Sequence, residues 1–97
     1  MPITINSVVK IVYQLSSQAL RQEVSGESVF LDMDKGQYFE LNSTGNEILE
    51  HLLSGQSESE VRDWLVHEYD VTPQQAEKDI QEILEELLKK NLIIKLP

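Results

Sequence analysis

The chain has 97 residues, 40% of them hydrophobic, which suffices for one domain with a single modest core. Its 17 acidic and 8 basic residues leave a formal charge of -9, the wrong sign for a nucleic-acid binder, whose partner's phosphates need Lys and Arg. There is no cysteine, so disulfides, thiolate metal sites and cysteine nucleophiles are excluded.

Met1 to Asn6 carries no basic stretch leading into an apolar run and a cleavage signal, so no export peptide is expected. No window approaches the roughly 20 apolar residues of a membrane span, and the expected location is cytoplasmic. Val8, Val9, Ile11, Val12 and Tyr13 form a β-branched apolar run that reads as a strand or extended segment. Residues 1–18 are thus an N-terminal extended segment, which covers one side of the domain or serves self-association. The domain proper is expected over 19–97.

From Ala19 the pattern alternates. Leu20, Gln22 and Val24 take one face and Arg21 and Glu23 the other, as in a half-buried strand. Ser25-Gly26-Glu27 is turn chemistry. Ser28 to Met33 forms the second strand, and Asp34-Lys35-Gly36 turns the chain with Gly36 at a left-handed position. Gln37 to Leu41 returns as the third strand. Local, sequential antiparallel pairing predicts a meander with that third strand outermost.

Asn42 or Ser43 caps the first helix, whose apolar face is Gly45, Ile48, Leu49, Leu52 and Leu53, and Gly55 stops it. Ser57 with Glu60 is a capping box opening a second helix, with Val61, Trp64, Leu65 and Tyr69 on its apolar side. Thr72 caps the third, Pro73 takes its first position and Gln75 completes a box. This helix runs to about Lys90 and carries Ala76, Ile80, Ile83, Leu84, Leu87 and Leu88 as a wide apolar stripe. Asn91 ends it, and Leu92 to Leu96 is a short apolar tail. The expected fold is α+β and winged-helix-like, a three-stranded antiparallel meander followed by three helices.

Chemistry is scarce. His51 and His67 sit on separate helices without ligand spacing and read as surface residues. Neighbouring carboxylates such as Glu58 and Glu60, or Glu85 and Glu86, read as solvated helix faces. No glycine-rich phosphate loop or nucleophile motif is present, so no enzyme, cofactor or metal is expected. The outer edge of the third strand beside the wide helical stripe suggests a groove that takes an extended peptide by strand addition. From the pattern alone a second reading stands beside it, in which Ile80, Ile83, Leu84 and Leu87 are all core.

Val29-Phe30-Leu31-Asp32, Gly36 to Asn42, Gly45 and Ile48 together resemble the PqqD-like family of peptide-recognition domains in pathways of ribosomally made, modified peptides. The likeness continues through Leu52 to Gly55, Tyr69-Asp70-Val71, Gln75-Ala76, Asp79, Leu84 to Leu88 and Asn91-Leu92-Ile93. Leu41 to Gly45 is most similar to stand-alone members from lasso-peptide clusters. Asp32 to Gly36 departs from the hairpin of the quinone-cofactor member, which weakens the alternative of a chaperone partner for a radical SAM enzyme. The resemblance implies a non-catalytic domain that binds the leader of a precursor peptide. It implies presentation of that peptide to a transglutaminase-like leader peptidase and an ATP-dependent macrolactam synthetase. By position, Gln37, Tyr38, Phe39, Glu40 and Leu41 are the implied pairing strand, with Ala76, Asp79, Ile80, Ile83 and Leu84 lining the opposite wall. Two further readings compete. A DNA-binding winged helix is opposed by Glu77, Asp79, Glu82 and Glu85 on the recognition helix. A small oligomerisation unit would rest on Val8 to Tyr13 and the apolar tail.

Overall fold

The computed structural model describes residues 12–96. In chain order the elements are β1 (Val12–Leu15), β2 (Ala19–Val24), β3 (Glu27–Asp32), β4 (Gln37–Leu41), α1 (Ser43–Leu53), α2 (Glu58–Tyr69), α3 (Pro73–Lys89) and β5 (Ile93–Leu96). The expected α+β order of meander and three helices is therefore present, with a second small sheet beside it. Strands β2, β3 and β4 form an antiparallel sheet in that order, with β4 at one margin. Strand β1 pairs antiparallel with β5, Tyr13 opposite Lys95. Val8, Val9 and Ile11 of the predicted first run lie outside the described residues.

Turn chemistry sets the meander. Ser25 (φ 52°) and Gly26 (φ 81°) both take the left-handed region, as a two-residue hairpin with the twist of its strands requires. Gly36 (φ 67°) closes the second turn, its N–H donating to the Asp32 carbonyl. The Asp32 side chain accepts the N–H groups of Asp34 and Lys35, so this carboxylate organises the loop it precedes.

The helix ends carry the caps that their residues suggest. Asn42 Oδ1 accepts the Gly45 N–H at 2.8 Å, which selects Asn42 over Ser43 as the cap. Helix α1 stops in a Schellman motif: Gln56 N–H donates to His51, Gly55 N–H to Leu52, and Gly55 sits at φ 98°. Ser57 and Glu60 exchange both capping-box bonds. At α3 the box is only half made. Gln75 N–H donates to Thr72 Oγ1, but the Gln75 side chain reaches forward to Asp79 Oδ1 at 2.8 Å instead of back to the cap. Asn91 (φ 56°) ends α3 in a second Schellman motif and turns the chain into β5.

The core lies between the two sheets and the helices: Tyr13, Phe30, Leu41, Ile48, Leu49, Leu52, Val61, Leu65, Ala76, Ile80, Leu84, Leu87, Leu92 and Ile93 are buried. One expectation about the meander is inverted. The Leu20–Val24 face of β2 is the exposed one, with Leu20 and Val24 more than half open to solvent, and the Arg21 side chain turns inward. Arg21 is tolerated there because its fork is satisfied: it donates to Ser28 Oγ, to Asn46 Oδ1 and to Glu50 Oε1, and lies over the Phe30 ring. The Ser28 hydroxyl also donates to Asn46 Oδ1, and Asn46 Nδ2 donates to the Gly26 carbonyl. This buried network ties the β2–β3 hairpin to α1. On the outer face, Leu20, Leu31 and Tyr38 form a row across the three strands, flanked by Val24 and Met33.

Candidate functional site

The margin of β4 is decided by the register of the whole meander. Met33 N–H donates to the Gln18 carbonyl, and Gln18 is the next residue opposite Met33 beyond the Ala19–Asp32 pair. Bonded and non-bonded pairs alternate in an antiparallel ladder, so Leu31 and Val29 point their backbone groups at β2. Asp32, Phe30 and Ser28 therefore point theirs at β4, where they meet Gln37, Phe39 and Leu41. What remains is the backbone of Tyr38 and Glu40. Their N–H and C=O groups face outward, and among the described residues no strand pairs with that margin. The tail, as β5, is engaged with β1.

Side chains alternate with the same parity. Tyr38 and Glu40 stand on the outer face, and Tyr38 is 72% exposed. Gln37, Phe39 and Leu41 turn to the inner side, toward α3. Two clefts lie along the inner side of β4, the first between it, α1 and α3, the second between it and the residues that follow α3. The first, of about 350 Å³, is lined by Glu40, Leu41, Asn42, Thr44, Gly45, Ile48, Asp79, Glu82 and Ile83. The second, of about 400 Å³, is lined by Asp32, Gln37, Tyr38, Phe39, Lys90 and Leu92. Between them sits the half-buried Phe39 ring, with Lys90 Nζ 5.5 Å from its centroid.

The expected wall residues divide in two. Asp79 and Ile83 line the first cleft and are partly exposed. Ala76, Ile80 and Leu84 lie behind them in the core, at 0%, 1% and 3% exposure, and offer the cleft no surface. The reason is helical geometry: Ile80 and Leu84 each follow a cleft residue by one position, roughly 100° further round the axis. Gly45 belongs to the floor for a reason of space. A Cβ there would lie 3.3 Å from both Leu41 and Asn42 side chains and 3.5 Å from Ile83, so glycine keeps α1 close to β4 and α3.

Sequence reasoning did not select Asp32, Asn42, Thr44, Gly45, Ile48, Glu82, Lys90 or Leu92 for the site. For Lys90 the signal was the row Asp79, Ile83, Glu86, Lys90, at intervals of four, three and four residues, which is a single helical face; the others are set by how α1, α3 and the chain after α3 pack against β4. The histidines take no part. His51 is bonded to Gln56 and packs at a tilt against Trp64 with centroids 4.1 Å apart, and His67 is exposed. Among the described residues no cluster of three or more His, Asp or Glu side chains is placed to hold a metal, and no helix is long and apolar enough to cross a membrane.

These elements define a small α+β domain whose open strand margin faces a helix across a two-chambered groove. The profile of coenzyme PQQ synthesis protein D (PqqD) matches residues 27–93. The chain belongs to the PqqD family. Two solved structures are similar to it. One is TbiB1 in complex with the TbiA(beta) leader peptide, at TM-score 0.73 and 29% identity, covering 82% of this chain and 93% of that one. The other is lasso peptide synthetase B1 complexed with the leader peptide, at TM-score 0.77 and 30% identity, covering 88% of this chain and 98% of that one. No curated protein matches the chain.

Proposed function

We propose that this domain binds the leader of a ribosomally made precursor peptide as a fourth strand on β4 and performs no chemistry itself. The observation that carries the proposal is the outward backbone of Tyr38 and Glu40 beside the groove to α3. Two edge residues supply up to four main-chain bonds, each contributing about 0.5–1.5 kcal/mol net. Leader residues opposite Phe39 and Leu41 would point into the groove, while those opposite Tyr38 and Glu40 would join the outer face. Asp79 and Ile83 contact the leader on this reading. Ala76, Ile80 and Leu84 act only as backing.

The leader-bound complexes of the two similar proteins support the reading, as does the family. The loaded domain then presents the precursor in the cytoplasm to a leader peptidase and an ATP-dependent macrolactam synthetase of lasso-peptide maturation. The test is a titration with a labelled synthetic leader, taken from the short precursor gene that the proposal places beside this one. Saturable binding is expected, and Ile83→Glu should abolish it while the thermal melt still shows a cooperative fold. Unchanged affinity in that variant would refute the site.

A further inference from the structure

The two chambers of the groove differ in charge. Around the first stand two carboxylates, Asp79 and Glu82, above an apolar floor of Leu41, Gly45 and Ile83, while Glu40 contributes its backbone at the strand margin. One oxygen of Asp79 accepts from Gln75, and no lysine or arginine lines this chamber. In the second, Lys90 is the lining cation, lies over Phe39 and pairs with Glu86 of its own helix at 3.6 Å, while the one lining carboxylate, Asp32, is occupied with its own loop. The inward residues Leu41 and Gln37 mark the two chambers, four positions or about 13 Å apart along the strand.

We propose that the groove selects an extended segment with a lysine or arginine facing the Leu41 end and a neutral or acidic residue, four positions away on the same face, facing Lys90. The inference rests on the strand-addition reading of the same groove and adds its chemistry and polarity. A lysine or arginine suits the first chamber in both its parts. The aliphatic stem lies on Leu41 and Ile83, and the charged head reaches the carboxylate rim. A carboxylate in that place would face two like charges, and a cation at the other end would face Lys90. Recognition by polarity sets register as well as affinity, because a slip of two residues takes the cation out of its chamber.

The experiment is a display selection of 12-residue randomised peptides against the full chain and against its Glu82→Lys and Lys90→Glu variants, followed by anisotropy titration of the enriched sequences. The wild type should enrich Lys or Arg at one inward position of an alternating segment. Replacing that cation by a neutral residue should weaken binding up to about fivefold for each rim carboxylate it meets, less at high salt. Glu82→Lys should lose the preference, and Lys90→Glu should keep it while newly accepting a cation four positions away. Alternating peptides enriched with no cation preference, or with the same preference in all three proteins, would overturn this inference and leave strand addition standing. Failure to enrich any extended peptide would overturn both.

Discussion

The register of β4 predicts opposite behaviour for proline at two neighbouring positions. The Glu40 N–H points away from β3, so Glu40→Pro removes no ladder bond, and proline is tolerated on a strand edge where its N–H would have faced solvent. Phe39 is already extended, as the residue before a proline must be. The fold should lose no more than about 1 kcal/mol. A leader strand, in contrast, loses one main-chain bond, about 0.5–1.5 kcal/mol or roughly two- to twelvefold in affinity. The ring also fills the space through which the strand approaches, so the combined loss should reach at least about tenfold. Phe39→Pro should do the reverse. It deletes a bond to Phe30, leaves a buried carbonyl unpaired and removes a ring packed 6.5 Å from that of Phe30. A stability loss of at least about 2 kcal/mol follows. Thermal melts and leader titrations on both variants check the pair. Wild-type affinity in Glu40→Pro, or equal unfolding of the two variants, would show that the outward residues have been assigned with the wrong parity.

Two further outcomes concern stability. Burial, together with the Glu58 carboxylate that accepts its hydrogen bond at 3.2 Å, pushes the Tyr13 phenol up from 10.0 to about 12. A phenol that ionises later in the folded chain than in the unfolded one contributes stability that is complete below pH 10 and disappears as pH rises toward 12. Tyr13→Phe should therefore be less stable than wild type at pH 7 by about 0.5–1.5 kcal/mol, and denaturant titrations should find the gap closing between pH 10 and 12. Asn42→Ala removes the α1 cap and should cost about 1 kcal/mol, lowering the melting temperature by roughly 4–8 °C in calorimetry.

Most of the architecture could be read from residues whose effects are local. Gly26, Gly36 and Gly55 mark left-handed positions, and Ser57 with Glu60 and Thr72 with Pro73 mark helix starts, whatever the rest of the chain does. Positions that depend on distant partners were harder. The inward turn of Arg21 needs Asn46 and Glu50 on α1, and nothing in the alternation of β2 announces them. The tail became a strand because Val12–Leu15 lies opposite it, a pairing across almost the whole chain. Within the site, the third helix was readable as an apolar stripe but not as two adjacent faces. Telling Ile83 from Ile80 and Leu84 requires knowing which side of the axis meets β4.

The bare outer face of the meander, with Leu20, Val24, Met33 and Tyr38 in water, bears on how copies of this protein behave together. Such an oily plane invites stacking, and mutual repulsion between molecules of charge -9 opposes it. That repulsion reaches about 30 Å at 0.01 M salt but only about 3 Å at 1 M. Added salt should therefore promote clustering, the opposite of what a charge-driven assembly would do.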